Sequence, residues 1–316
     1  MSDNLILVGA GPMAQEYSKV LSGMNKSFTV IGRGEESAQK FAEITGIKPV
    51  TGGVEKYLSS NKIPEFAIVA TGVEMLYSVT LQLLKAGCKN ILMEKPGAFS
   101  CEELQELANV AKANGASVYI AYNRRFYAGV KAAEKLIAED GGIRSVNFEF
   151  TEWVHKITSL KHAPGVKEHF VLANSTHVID LAFFFGGFPM EYVAYTAGNG
   201  VEWHKNASAF SGAGITDKGV LFSYHADWES AGRWSVEVLT NKRKLIFCPM
   251  EKLQQTLRGT VAVEEVPVDY TIDTQYKAGL YAEVDAFIND IDKARLCTLE
   301  EQVKIFPVYN KIANYK

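Results

Sequence analysis

Gly9-Ala10-Gly11-Pro12-Met13-Ala14 is a G-x-G-x-x-A run directly behind the apolar stretch 5–8. Gly9 permits a tight turn, Gly11 lets the backbone approach a pyrophosphate, and Ala14 keeps a following helix close to the strand. Pro12 suits the first turn of that helix, and with Met13 it sets unpaired N–H groups where phosphates would sit. An ordinary turn has the same spelling. The place of this one, between strand and helix at the head of a β/α series, favours dinucleotide binding. Thr71, behind the third apolar run, is assigned to the same ligand. About 20 residues beyond the glycines, NAD would call for a carboxylate. The chain reads Ile31-Gly32-Arg33-Gly34-Glu35 there. Arg33 can pair with a 2′-phosphate or stack on adenine, so NADP is preferred, while Glu35 keeps NAD open.

Two more polar groups stand where strands end. Met93-Glu94-Lys95-Pro96-Gly97 closes the fourth strand, and ligands in open α/β sheets bind beyond the carboxyl ends of strands. Glu94 and Lys95 are assigned to the cofactor. The Lys95 ammonium can also bridge a nicotinamide ribose and a substrate hydroxyl, stabilising alkoxide character. A surface Glu–Lys pair before a loop proline is the competing account. Asn123-Arg124-Arg125-Phe126 follows the fifth strand. Arg124 is assigned to substrate, and either arginine suits a carboxylate or phosphate; a domain-junction ion pair is equally open.

The elements that must hold these groups are legible by period. Apolar runs at 5–8, 28–31, 66–70, 90–93 and 117–121 alternate with helical stretches at 13–21, 35–45, 76–86 and 101–114. Continuous apolar strands between helices predict a parallel sheet covered on both faces, a Rossmann-type α/β domain over 1–121. The pattern then changes. After a helix over 127–139, alternating runs at 146–151, 192–197, 219–224, 235–240 and 244–248 predict a mostly antiparallel open sheet with helices on one face. This is an α+β domain over 122–316 for substrate binding and oligomerisation, with a helix over 281–291 packing back on the first domain.

At 316 residues with 47% hydrophobic and 22% charged side chains, the chain has material for two ordinary cores. A net charge of -3 with both signs interspersed gives no reason to expect nucleic acid or an anionic membrane as partner. Cys88, Cys101, Cys248 and Cys297 are too scattered for a disulfide framework or zinc site, so no metal is expected and a reducing cytoplasm fits. The N-terminus has no signal-peptide pattern, and no apolar run reaches the ~20 residues of a membrane span.

Taken in order, G-x-G-x-x-A, Glu94-Lys95-Pro96 and Asn123-Arg124-Arg125-Phe126 resemble the glucose–fructose oxidoreductase/inositol dehydrogenase (Gfo/Idh/MocA) family over nearly the whole chain. The resemblance implies that Lys95 touches both nicotinamide and substrate. It also points to a second-domain motif, D-x-x-x-H-x-x-D, matched by the stretch from Ala173 to Asp180. His177 then corresponds to the catalytic base, and an imidazole suits that task near neutrality. Asp180 either orients the ring or supports the helix. The first aspartate is Ala173, a departure; Asn174 or Ser175 either replaces it at the substrate or caps the helix. Lys161, His162, Lys167, Glu168 and His169 lie in a loop before this helix, and Trp153, Trp203, Trp228 and Trp234 either stack on a sugar or pack a core or interface. The implied activity is NADP- or NAD-dependent hydride transfer at a secondary alcohol or ketone of a sugar, cyclitol or derivative, in a homo-oligomer (dimer or tetramer). The alternative is a dinucleotide-binding sensor without net turnover.

Overall fold

A computed structural model describes residues 4–315, which divide into two compact units: 4–123 with 272–304, and 124–271 with 305–315. The chain therefore enters each unit twice.

In the first unit, β1 (Leu5–Val8), α1 (Pro12–Gly23), β2 (Thr29–Ile31), α2 (Glu35–Thr45), α3 (Gly53–Ser60), β3 (Phe66–Val69), α4 (Val73–Ala86), β4 (Asn90–Glu94), α5 (Cys101–Asn114) and β5 (Ser117–Ala121) follow one another. The strands pair in parallel in the order β5-β4-β3-β1-β2. All four side chains of β1 are buried, as a sheet covered on both faces requires. The strand order reverses between β1 and β3, so their carboxyl ends flank the switch point of a Rossmann sheet. Helix α3 stands in a stretch where the sequence has no clear helical signal. The returning segment adds α10 (Leu280–Asn289), whose Phe287 meets Phe66 edge-on at 5.6 Å, and β14 (Cys297–Thr298), antiparallel to β5.

The second unit starts within a 3-10 turn over Asn123–Phe126, at Arg124, and continues with α6 (Ala128–Glu139), β6 (Ser145–Glu149), α7 (Val154–Ile157) and α8 (Thr176–Gly186). Strands β7 (Pro189–Ala197), β8 (Ala209–Thr216), β9 (Leu221–Asp227), β10 (Ser235–Leu239), β11 (Arg243–Phe247), β12 (Gln254–Leu257) and β13 (Glu264–Glu265) complete a sheet ordered β13-β12-β11-β10-β6-β9-β8-β7. It is antiparallel except where β6 and β9 run together. Strand β8 is missing from the alternation pattern because Ala209-Phe-Ser-Gly-Ala-Gly-Ile-Thr216 has low strand propensity. Its Gly212 and Gly214 are demanded by packing: a Cβ at either would stand 2.4 or 2.3 Å from a β7 carbonyl oxygen.

One face of this sheet is covered by α8. Phe183 meets Phe148 and Phe222 edge-on, at 5.6 and 5.2 Å, and Val178, Ile179, Leu181 and Ala182 are buried. Met190, Val193, Tyr195 and Leu221 are exposed. The helix closing the chain is α11 (Leu299–Ala313), which the expected helix over 281–291 does not include; Pro307 inside it interrupts the sequence signal. α9 (Thr271–Gln275) opens the returning segment.

Candidate functional site

In the first unit the candidate residues gather at strand ends. Gly9, at φ 128°, donates its N–H to Ile31 O at 2.8 Å, and a Cβ there would stand 2.3 Å from Ala70 O. Only glycine tolerates both conditions. Gly11 is the N-cap of α1, which has no side-chain cap; Pro12 opens the helix, Met13 is half-buried and Ala14 is buried. A Cβ at Gly11 would meet nothing within 4 Å, so open space lies before free helical N–H groups. These residues fit a dinucleotide pyrophosphate. Arg33 is exposed beyond β2, with Nη1 3.8 Å from Met75 Sδ at the start of α4, and Thr71 lies half-buried just before that helix. Glu35, the first residue of α2, is engaged elsewhere, accepting a hydrogen bond from Thr51 Oγ1 at 2.5 Å.

The turn carrying Lys95 is anchored from below. Glu94 Oε1 accepts from the hydroxyl of fully buried Tyr17 at 2.9 Å. Burial pushes the Glu94 carboxyl up, against the opposing pull of Lys95, Tyr17 and Lys277. The Tyr17 phenol is pushed well up by burial and by Glu94 and Glu283. The Lys95–Pro96 peptide is cis, and buried Gln302 donates Nε2 to Pro96 O at 2.9 Å while its Oε1 accepts from Tyr122 at 3.3 Å. Asn123 donates to Ala278 O at 2.8 Å. Tyr17, Lys277, Glu283 and Gln302 escape the sequence reading, since three of them come from the returning segment and Tyr17 reads as one more apolar helix position.

In the second unit, His177 is half-buried in the first turn of α8, 6.3 Å between ring centroids from Trp234. The preceding turn, Val171–Ser175, is a π-helix. Asn174 and Ser175 do not cap α8. Both donate to Glu152 Oε1, at 3.0 and 2.8 Å. This carboxylate is almost wholly buried, with Arg233 Nη1 at 3.6 Å. Burial pushes it up to about 7, offset by Ser175, Arg233 and Asn174. Asp180 binds Arg125 in a buried bidentate pair, Oδ1 to Nη2 at 2.6 Å and Oδ2 to Nε at 2.9 Å. Arg125 is therefore structural, which leaves the substrate assignment to Arg124. Glu152 and Arg233 carry no local signal, because both are distant in sequence from His177.

The remaining candidates are mostly structural. Lys161 and Glu168 are solvated, Lys167 Nζ donates to Thr158 O at 2.9 Å, His162 packs against Phe170 and His169 Nδ1 lies 3.0 Å from Gly165 O. Trp228 is buried and donates to Phe150 O, and Trp203 stacks on it at 5.9 Å. Trp153 and Trp234 are the two tryptophans whose neighbours are arginines.

Comparison with known proteins follows the same division. Residues 4–122 match the family GFO_IDH_MocA, described as an oxidoreductase family with an NAD-binding Rossmann fold. Over these residues the chain is similar to the Gfo/Idh/MocA family. Trans-1,2-dihydrobenzene-1,2-diol dehydrogenase of Mus musculus is 28% identical over 150 residues, 46% of this chain and 44% of the mouse enzyme. The chain spans about half the length of the curated relatives it matches. An oxidoreductase from Agrobacterium radiobacter, in complex with NAD+, L-tartaric acid and magnesium, shares its fold at TM-score 0.80 with 13% identity, covering 99% of this chain and 97% of that one. A levoglucosan dehydrogenase in complex with NADH and levoglucosan gives TM-score 0.76 and 16% identity, covering 99% and 97%. The fold shared with these two oxidoreductases extends over both units, and no helix among the described residues is long and apolar enough to cross a membrane.

Proposed function

We propose that the protein transfers a hydride between a nicotinamide and a secondary alcohol or ketone of a polyhydroxylated small molecule, a sugar, cyclitol or derivative, with NADP preferred over NAD. The observation that carries this reading is the strand-end constellation of the first unit: a glycine cradle before uncapped α1, with the Lys95 turn pinned by Tyr17 and Gln302. The diol and sugar specificities named for the mouse relative and the levoglucosan enzyme support the substrate class. Exposed Arg33 supports a 2′-phosphate, the more so because Glu35 is engaged by Thr51.

Gly9, Gly11, Pro12, Met13 and Ala14 hold the pyrophosphate, Arg33 and Thr71 the adenosine side, and Glu94 and Lys95 the ribose end. The dinucleotide, once bound, supplies the hydride acceptor or donor. Lys95 polarises the reacting oxygen and His177 takes or returns its proton. Arg124 and Asn174 bind substrate, Asn174 being fixed by Glu152. The chain works in the cytoplasm as a homo-oligomer, dimer or tetramer, formed through the sheet face bearing Met190, Val193, Tyr195 and Leu221.

The test is turnover. Purified protein with NADP or NAD is offered trans-cyclohexane-1,2-diol, levoglucosan, myo-inositol, D-xylose, D-glucuronate and D-glucose 6-phosphate, and nicotinamide absorbance is followed. Net reduction with at least one is expected, and Lys95→Ala should lower kcat/KM by roughly a hundredfold or more. Ala173, which removes a carboxylate from beside His177, favours a second reading as a dinucleotide sensor. Tight NADPH binding with no net turnover on any of these compounds, neutral or anionic, would establish that reading instead.

A further inference from the structure

The second unit carries a row of five side chains in which cations and indoles alternate. Lys156 Nζ lies 4.1 Å from the Trp153 ring centroid. Arg233 Cζ lies 4.6 Å from the Trp153 ring centroid and 4.8 Å from that of Trp234. Arg124 Cζ lies 4.9 Å from Trp234. The row ends beside His177, through the same Trp234 ring. Its outer members, Lys156 and Trp153, are exposed, and Arg233 keeps 44% of its side chain accessible.

Stacking of this kind has a definite chemical consequence. An indole face holds a cation through its quadrupole without adding a negative charge. A guanidinium between two indoles has its faces occupied and presents its edge, a fork of N–H donors matched to a carboxylate or phosphate. It is also held in place before a ligand arrives, which lowers the ordering cost of binding. The ion contact of Arg233 to Glu152 Oε2 is 3.6 Å, too long for a hydrogen bond, while Asn174 and Ser175 both donate to the other oxygen, Oε1. The Trp234 indole N–H is buried without a hydrogen-bond partner among the described residues, although it lies close enough to help hold the Glu152 carboxyl down. A buried donor of this kind is uncommon unless something completes it.

We propose that the row Lys156–Trp153–Arg233–Trp234–Arg124 binds an anionic group of the substrate, so that the physiological substrate is a sugar acid or sugar phosphate rather than a neutral polyol. This rests on the reading of His177 as the proton-transfer group, which sets the substrate beside Trp234. Arg233 is the specificity-determining residue, with Lys156 at the solvent end.

Intrinsic tryptophan fluorescence tests this without turnover. The whole protein is titrated at constant ionic strength with D-glucuronate, D-glucose 6-phosphate, inorganic phosphate and neutral D-glucose. Saturable changes are expected with glucuronate or glucose 6-phosphate at concentrations at least tenfold below any effect of glucose, and whichever anion binds tighter identifies the group. Inorganic phosphate matching glucose 6-phosphate would mean an adventitious ion only and overturn the proposal. Arg233→Gln and Arg233→Lys should each weaken binding about tenfold, the lysine variant because it keeps the charge but not the fork. Lys156→Gln should weaken it a few-fold, and NADPH affinity reports that each variant is folded. Equal binding of glucose, no saturable signal with either anionic sugar, or anion affinity untouched in folded Arg233→Lys overturns the proposal. Anion binding without nicotinamide reduction would overturn the dehydrogenase reading and leave the subsite; reduction by neutral polyols with no preference for anions would do the reverse.

Discussion

Glu152 shows how one residue links stability to pH. Its carboxyl lies inside the second unit, accepting two hydrogen bonds, and burial raises it from 4.5 to about 7. The unfolded chain therefore releases this proton first on going to higher pH. Stability from this group is full below the unfolded value near 4.5 and is lost as pH rises through about 7. The difference amounts to about 3 kcal/mol. Urea unfolding at about pH 5 and about pH 8 should show that fall, and Glu152→Gln should flatten most of it; an unchanged slope in the variant would remove Glu152 as its source. Gly9 is governed by backbone instead. Alanine there meets Ala70 O and an unfavourable φ, so Gly9→Ala should cost about 1–3 kcal/mol or more and abolish NADPH binding, read by denaturation and fluorescence titration.

At the scale of elements, the buried Arg125–Asp180 pair ties the turn at Asn123–Phe126 to α8, the helix that carries His177. Arg125→Met should destabilise by about 3–5 kcal/mol, because Asp180 keeps its charge in the interior without its bidentate partner. Arg125→Met with Asp180→Leu should recover much of that loss; paired thermal melts decide the matter, and equal melting temperatures for the single and double variants would place the cost elsewhere. The same pair explains why two adjacent arginines part company. In the sequence, Arg124 and Arg125 are equivalent candidates, but a position in the turn sends one to Asp180 and the other onto Trp234. Elements themselves were legible wherever a strong period existed. β8 was not, since its glycines answer to neighbours on β7 rather than to strand propensity.

For the whole molecule, a ligand bound only to the folded state stabilises it by mass action, about 2.7 kcal/mol at a hundred times Kd. NADPH should therefore raise the melting temperature by several degrees, and NADH by less at equal concentration. Arg33→Ala should erase the difference between them, since exposed Arg33 is the residue proposed to meet the 2′-phosphate; a preserved preference would assign it to another residue. Two units built from interrupted segments also make the returning stretch part of the first core. Phe287→Ala removes a ring packed on Phe66 and Tyr119 and should cost about 3–5 kcal/mol, measured by denaturant unfolding.

The sequence by itself determined the Rossmann unit, the change to an antiparallel sheet, and the turns at Gly9, Arg33 and Lys95. These depend on short-range facts: the two-residue period of strands, the helical repeat, and glycines required at particular φ values or close approaches. Only the tertiary structure decided which polar groups meet. Glu152 reaches Asn174 and Ser175, Arg125 reaches Asp180, Tyr17 reaches Glu94, and Arg233 enters between Trp153 and Trp234. Most of these pairings join residues tens of positions apart, and their strength comes from burial. A linear sequence carries periodicity and turn chemistry, whereas desolvation and long-range contact exist only once the chain has closed around them.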